Sequence, residues 1–247
     1  MAAAASYIGC AGLRLPLSVQ ARFAAQGTHL QRYASCLNAS EINSSFHRPH
    51  SQATYRRWAE SVPDHFRFCV KLPKTITHEQ KLIACEHLLD KFIGQAGGPG
   101  SRLGCLLVQL PPSLAFDGAG ADAFFEAPRQ RWAGPVSAEP RHESWFGAQA
   151  QALLSAHQVA RVLADPVRHA CGSHPGGWPA LVYLRLHGSP RMYYSAYQPA
   201  LLAALAARIA LALREGRAVC CIFDNTAGSA AADNALGLQQ ALDKELA

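Results

Sequence analysis

Eight short apolar runs alternate with helix-type patterns along the 247 residues, and polar residues recur where those runs end. Together these features predict an α/β fold, a TIM-barrel-like closed parallel (β/α)8 barrel. A barrel of this kind takes about 250 residues as one unit. No repeat or linker divides the chain, so 1–247 is expected to be a single domain. An open doubly wound sheet is the alternative. It would place a G-x-G-x-x-G turn after the first strand, whereas Gly9-Cys10-Ala11-Gly12 runs on into Leu13-Arg14.

In chain order, strands are expected at 7–10, 39–43, 66–72, 105–110, 136–139, 160–164, 181–186 and 218–223. All are short and apolar, as strands buried on both faces are. Between them, weak helical patterns fall near 51–61, 119–132, 147–157 and 230–246. Two helices are better marked. Thr77-His78-Glu79-Gln80 reads as a capping box with Thr77 as N-cap, followed by Leu82, Cys85, Leu89 and Phe92 at helical spacing. Leu201, Leu205, Ile209 and Leu213 form one stripe that Glu215-Gly216 ends. The sixth gap, at 169–179, contains Cys171-Gly172-Ser173-His174-Pro175-Gly176-Gly177, so the sixth helix is expected to be short or missing.

Composition narrows the function classes. With 49% hydrophobic and 16% charged residues, the chain is neither disordered nor a small disulfide scaffold. The balance of 23 Lys+Arg against 17 Asp+Glu, +6, favours an anionic partner. The cations are scattered, which argues against a nucleic-acid-binding tail. Eight cysteines show no C-x-x-C pair, and most sit in apolar runs, as in a reduced cytoplasmic protein. Met1-Ala2-Ala3-Ala4-Ala5 lacks the charged start of a secretory signal. The apolar stretch 200–213 carries Arg208 and is too short to span a bilayer, so no membrane partner is expected. No sequence feature specifies an oligomeric state.

Parallel barrels gather their chemistry where the strands end. Here those positions hold Glu41 and Asn43, Lys71, Gln109, Glu139 and Arg141, Asp165, Arg185 and His187, then Asp224 and Asn225. Glu41/Asn43, Glu139/Arg141 and Arg185/His187 are i, i+2 pairs, which a strand points to the same side. Charged residues at strand ends are individually most often solvated. So many at one end, several in pairs, point instead to a paired cluster facing a ligand.

The cations favour a substrate bearing phosphate or carboxylate, gripped by Arg141 and Arg185 with Lys71 as a point charge. Glu139 or Glu41 is the candidate general base and His187 the candidate acid or base of a hydrolase or lyase. Asn43, Gln109, Asp165, Asn225, Arg48 and Trp145 are the further candidate binding residues. Glu41 and Glu139 also suggest a glycosidase, but only Trp145 and Phe46 offer ring platforms near the mouth. Only His187 stands cleanly at a strand end, with His47, His78 and His142 in loops or helix starts, so no metal or cofactor is assigned. The alternatives are a non-catalytic module for nucleic acid or an anionic metabolite, and a purely structural ion network.

Several segments resemble one family in order over nearly the whole chain: Glu41-Ile42-Asn43-Ser44-Ser45-Phe46-His47-Arg48, Phe68-Cys69-Val70-Lys71-Leu72-Pro73-Lys74, Leu107-Val108-Gln109-Leu110-Pro111-Pro112, Glu139-Pro140-Arg141-His142-Glu143-Ser144-Trp145, Arg185-Leu186-His187-Gly188 and Phe223-Asp224-Asn225. They resemble the YecE-like family, domain of unknown function 72. The resemblance implies a TIM-barrel-like fold and brings no reaction with it. The chain departs from the family pattern at Gly12-Leu13-Arg14, where an aromatic-rich segment is usual, and at His47, where a Tyr is usual. Both departures thin the aromatic content of the mouth.

Overall fold

The computed structural model describes residues 4–247; Met1–Ala3, part of the alanine-rich start, lie outside the described residues. The strands are β1 (Ser6–Ala11), β2 (Ala39–Ile42), β3 (Arg67–Lys71), β4 (Leu103–Gln109) and β5 (Val136–Glu139). They continue with β6 (Val159–Arg161), β7 (Leu163–Asp165), β8 (Gly176–Gly177), β9 (Leu181–Leu186) and β10 (Ala218–Phe223). One sheet takes them all, in the order β7-β9-β10-β1-β2-β3-β4-β5-β6-β8. Every ladder is parallel except the two-residue pairing of β6 with β8.

The ring closes through the segment 159–165. Its first half, β6, pairs with β5, and its second half, β7, pairs with β9. Only Val162 separates the two halves. The expected strand 160–164 is therefore present, but its two halves pair with different neighbours.

Seven α-helices lie among the described residues: α1 (His29–Ala34), α2 (Gln52–Glu60), α3 (Glu86–Ala96), α4 (Gly118–Arg131), α5 (Ala148–Ala156), α6 (Pro199–Arg214) and α7 (Ala231–Leu246). Their apolar sides meet the outward strand residues in the main core, where Phe66, Phe92, Phe125, Ile209 and Leu238 are buried. Pro199 opens α6 at a first-turn position, where its missing N–H and fixed φ suit the helix. The sixth connection holds no α-helix, only the 3-10 turn Ala170–Gly172 and β8. This leaves a groove of about 390 Å³ between Leu163, Val182 and Leu184 on the barrel and Leu205 and Ile209 on α6.

One expectation needs correction. Thr77 does not cap a helix. Residues Thr75–Glu79 form one π turn, and the Thr77 hydroxyl bonds the Pro73 carbonyl and His78 Nδ1. Left-handed backbone at Lys81, Leu82 and Ala84 then breaks the path, and α3 starts only at Glu86 after Cys85. Helix α1 was unexpected from the pattern, although Thr28 and Gln31 form a complete capping box at its start.

Inside the bore the strands alternate with period two. Gly9 faces a close approach: a Cβ there would lie 1.8 Å from the Ala39 carbonyl oxygen. The Tyr33 hydroxyl sits beside it, accepting from the Cys10 N–H and donating to the Ala39 carbonyl, both at 2.8 Å. The lower bore is filled by Ala39, Cys69, Cys105, Leu107, Ala160, Val162, Tyr183, Cys220 and Ile222.

Candidate functional site: an ionic layer at the mouth of the barrel

Two residues beyond that apolar filling, the same strands deliver charge. Cys69 is followed by Lys71, Ala39 by Glu41, Ser137 by Glu139, and Tyr183 by Arg185 and then His187. Asp224, directly after β10, completes the layer. Arg185 is at its centre, 1% exposed. Its Nε and Nη2 donate to Glu41, the latter at 2.6 Å, while Nη1 donates to Glu139 and Nη2 also reaches Asp224 at 3.1 Å. The Tyr183 hydroxyl donates to the other Glu41 oxygen at 2.8 Å, so Glu41 is fully engaged.

The second cation, Arg141, pairs with Glu139. Its Nε is buried and has no partner among the described residues. His187 Nδ1 lies 3.0 Å from Asp224, which fixes the ring. Nε2 then faces two unlike neighbours: Arg141 Nη2 at 3.4 Å, which can only donate, and Glu139 Oε1 at 3.7 Å, which can only accept. Whether Nε2 carries a proton decides which neighbour it engages.

Burial alone would favour neutral Glu139, but the charges of Arg185, His187 and Arg141 hold its carboxyl well below the usual carboxylate range. Burial likewise favours neutral His187, yet its hydrogen bond with Asp224 and the nearby Glu139 carboxylate outweigh this and raise its pKa above the ordinary value of 6.5. Lys71 runs the other way. Burial first and the nearby Arg185 second push it down to about 8, against the pull of Glu41, Glu139 and Asp224. Its ammonium rests over the Phe46 ring, 4.0 Å from the centroid, and His78 meets the same ring edge-to-face.

The expected site residues divide into two groups. Glu41, Glu139, Arg141, Arg185, His187 and Lys71 converge, as the i, i+2 pairing of Glu139/Arg141 and Arg185/His187 implies. Gln109 reaches Glu139 only at 3.4 Å. Asn43 lies beyond the strand, since β2 stops at Ile42, and its backbone is helical. It lines a neighbouring cavity of about 300 Å³ with Leu13, His50 and Trp58, its buried Oδ1 unpartnered among the described residues.

Asp165 accepts from Tyr197, and Asn225 donates to Ser195 and Asn234, so both tie down the chain after β9 and do not enter the layer. Arg48 stands exposed on the loop after β2. Trp145 is core: its indole N–H donates to the Leu114 carbonyl at 2.9 Å and its ring packs on Phe116 and Phe125. Asp224 takes the place expected for Asn225. The signal was the strand end itself, where Phe223 points outward and the next residue inward.

Among the described residues no three His, Cys, Asp or Glu side chains converge as a metal site, and no helix is long and apolar enough to cross a membrane. All eight cysteines are free thiols; Cys69 and Cys220 touch across the bore at 3.4 Å.

The chain is 34% identical over 87 residues to the UPF0759 protein YecE of Escherichia coli K12, a stretch of 35% of this chain and 32% of that protein. The match thus spans about a third of the curated relative. A DUF72 family protein from Enterococcus faecalis V583 superposes with a TM-score of 0.78 at 22% identity, covering 96% of this chain and 95% of that one. Another from Thermotoga maritima MSB8 gives 0.76 at 20% identity, covering 97% and 99%. These two likenesses show the barrel fold. The model of the family described as "Protein of unknown function DUF72" matches residues 7–247, and the chain belongs to that family.

Proposed function

We propose that the chain is a single-domain enzyme, a hydrolase or lyase, that takes a small phosphate- or carboxylate-bearing substrate at the barrel mouth. The observation that carries this reading is the setting of His187 Nε2, between a donor and an acceptor and backed by Asp224. Such a nitrogen can hold or release a proton with little rearrangement, which is the work of a general acid or base. Its raised pKa favours the acid role near neutrality. Arg141, with its unpartnered Nε, and Lys71 supply positive charge for the anionic group. Glu41 and Glu139, spent on Arg185, serve as positioning residues that hold Arg185 and Arg141 in place.

Inorganic phosphate is the first probe. A site with a dissociation constant near 1 mM adds about 1.4 kcal/mol of stability at 10 mM phosphate. At fixed ionic strength phosphate is expected to raise Tm over chloride, and Arg141→Ala to remove the effect without unfolding the barrel. An equal response in both proteins would reject the site. The second reading, a binding module for nucleic acid, draws on exposed Arg48, Arg168 and Arg191 in the loops at the same end. It requires an affinity for oligonucleotides that falls steeply with salt.

A further inference from the structure

The ionic layer leaves one member without an opposite charge. Glu41, Glu139 and Asp224 are engaged by Arg185, Arg141, Tyr183 and His187. Among the described residues Lys71 has no carboxylate within ion-pair distance, and the only ion-paired lysine is Lys74, with Glu79. Lys71 ends β3, is 8% exposed, and has one flank covered by the Phe46 ring. A desolvated amine beside a fixed cation is the usual setting of an activated lysine nucleophile.

We infer that Lys71 forms an imine with the carbonyl carbon of a small aldehyde or 2-oxo compound whose carboxylate or phosphate is held by Arg141. This rests on the anion reading above and specifies its substrate class. The neutral Nζ attacks the carbonyl carbon and a C–N bond forms. The carbonyl oxygen takes up a proton and Nζ loses one, giving a carbinolamine. The nitrogen lone pair then expels the hydroxyl group, protonated to water, and the product is an iminium ion. Amine and carbonyl give imine and water, and no oxidant is needed. His187 Nε2 and His78 are the proton carriers at the mouth; burial, Lys71 and Arg141 all lower the pKa of His78, which keeps it neutral. The iminium keeps the positive charge over Phe46 that the ammonium had.

The pKa of about 8 at Lys71 supports the same conclusion: burial first and Arg185 second lower it, against Glu41, Glu139 and Asp224. At pH 8 it leaves roughly half of the amine neutral, against under about 1% for an ordinary lysine.

The chain has only five lysines, Lys71, Lys74, Lys81, Lys91 and Lys244, so a labelling experiment carries its own controls. The native protein is treated with glyoxylate or glycolaldehyde phosphate plus sodium cyanoborohydride, and the adducts are located by peptide mapping. Lys71 is expected to label about tenfold or more faster than Lys81 or Lys91 at pH 8. Its labelling should rise through a midpoint near 8 and slow when inorganic phosphate is present. Lys71 labelling no faster than Lys81 overturns the imine. If phosphate still stabilises the protein in that case, the anion reading stands alone. Fast labelling of Lys71 that phosphate neither slows nor accompanies with a Tm shift overturns the anion reading instead.

Discussion

The lower and upper halves of the bore are built by the same strands and obey opposite rules. Below, Cys69, Cys105, Leu107, Tyr183, Cys220 and Ile222 fill the barrel with thiols and hydrocarbon. Two residues on, Lys71, Glu139, Arg185 and Asp224 fill it with charge. The lower layer closes the barrel at little electrostatic cost. The upper layer must desolvate ions, and a buried ion network seldom stabilises a fold more than well-packed hydrocarbon would. Replacing a buried ion network by well-packed hydrocarbon is often neutral or stabilising. That electrostatic cost is the motive for the proposal of a task at the mouth.

The sharpest test of that difference is Arg185→Met. It leaves Glu41 and Glu139 buried without their main partner and is expected to destabilise by about 3–5 kcal/mol in urea unfolding. Leu107→Ala, in the layer below, is expected to cost about 2–5 kcal/mol through a cavity while keeping the phosphate response. If Arg185→Met were neutral, or Leu107→Ala abolished phosphate binding, the division of the bore into a supporting and a working layer would fail.

A smaller effect should appear in pH. Glu139 has a folded pKa below its ordinary 4.5, so its contribution is present above that value and is lost as pH falls through the folded pKa. His187 has a folded pKa above 6.5, so its contribution is complete below 6.5 and is lost as pH rises through the folded pKa. The ionic layer should hold best between these values. Between pH 6 and 8 the unfolding free energy of the wild type should fall, and His187→Gln should flatten that slope while keeping the acid limb. A wild-type curve flat over pH 6–8 would show that Asp224 and Glu139 do not hold a proton on His187.

Much of this was legible in the sequence because a parallel barrel strand is apolar on both faces and its side chains alternate. The runs at 136–139, 181–186 and 218–223 are strands at those same bounds. Two of the three i, i+2 pairs, Glu139/Arg141 and Arg185/His187, meet in the layer. In the third, Glu41 joins the ion pairs, while Asn43, helical one residue beyond β2, lines a cavity beside it with its Oδ1 unpartnered, which a two-residue spacing cannot reveal. Trp145 was misplaced for a related reason: proximity to Arg141 in sequence does not fix direction, and the 3-10 turn Glu143–Phe146 rotates the indole into the core. The start of α3 was hidden by the left-handed residues Lys81, Leu82 and Ala84, none of them glycine, whose conformation nothing local announces. The two pairing partners of segment 159–165 are set by the far side of the ring, and no pattern within five residues encodes that.

The smallest expected effect discriminates most finely, because its sign is opposite to that of the paired charges around it. Lys71 has a folded pKa of about 8 against an ordinary 10.5, so at neutral pH folding opposes its proton. The unfolded chain then binds more protons between those values, and wild-type stability must rise with pH across that interval. Lys71→Met keeps the length of the side chain and its contact with Phe46 while deleting the charge. Melting followed from pH 7 to pH 10 should find Lys71→Met more stable than the wild type at pH 7, with the gap narrowing as Lys71 loses its proton. A gap of the opposite sign at pH 7 would mean that Glu41, Glu139 and Asp224 hold the ammonium as a structural counter-ion. In that case the upper layer would be a structural ion network, without a spare amine for chemistry.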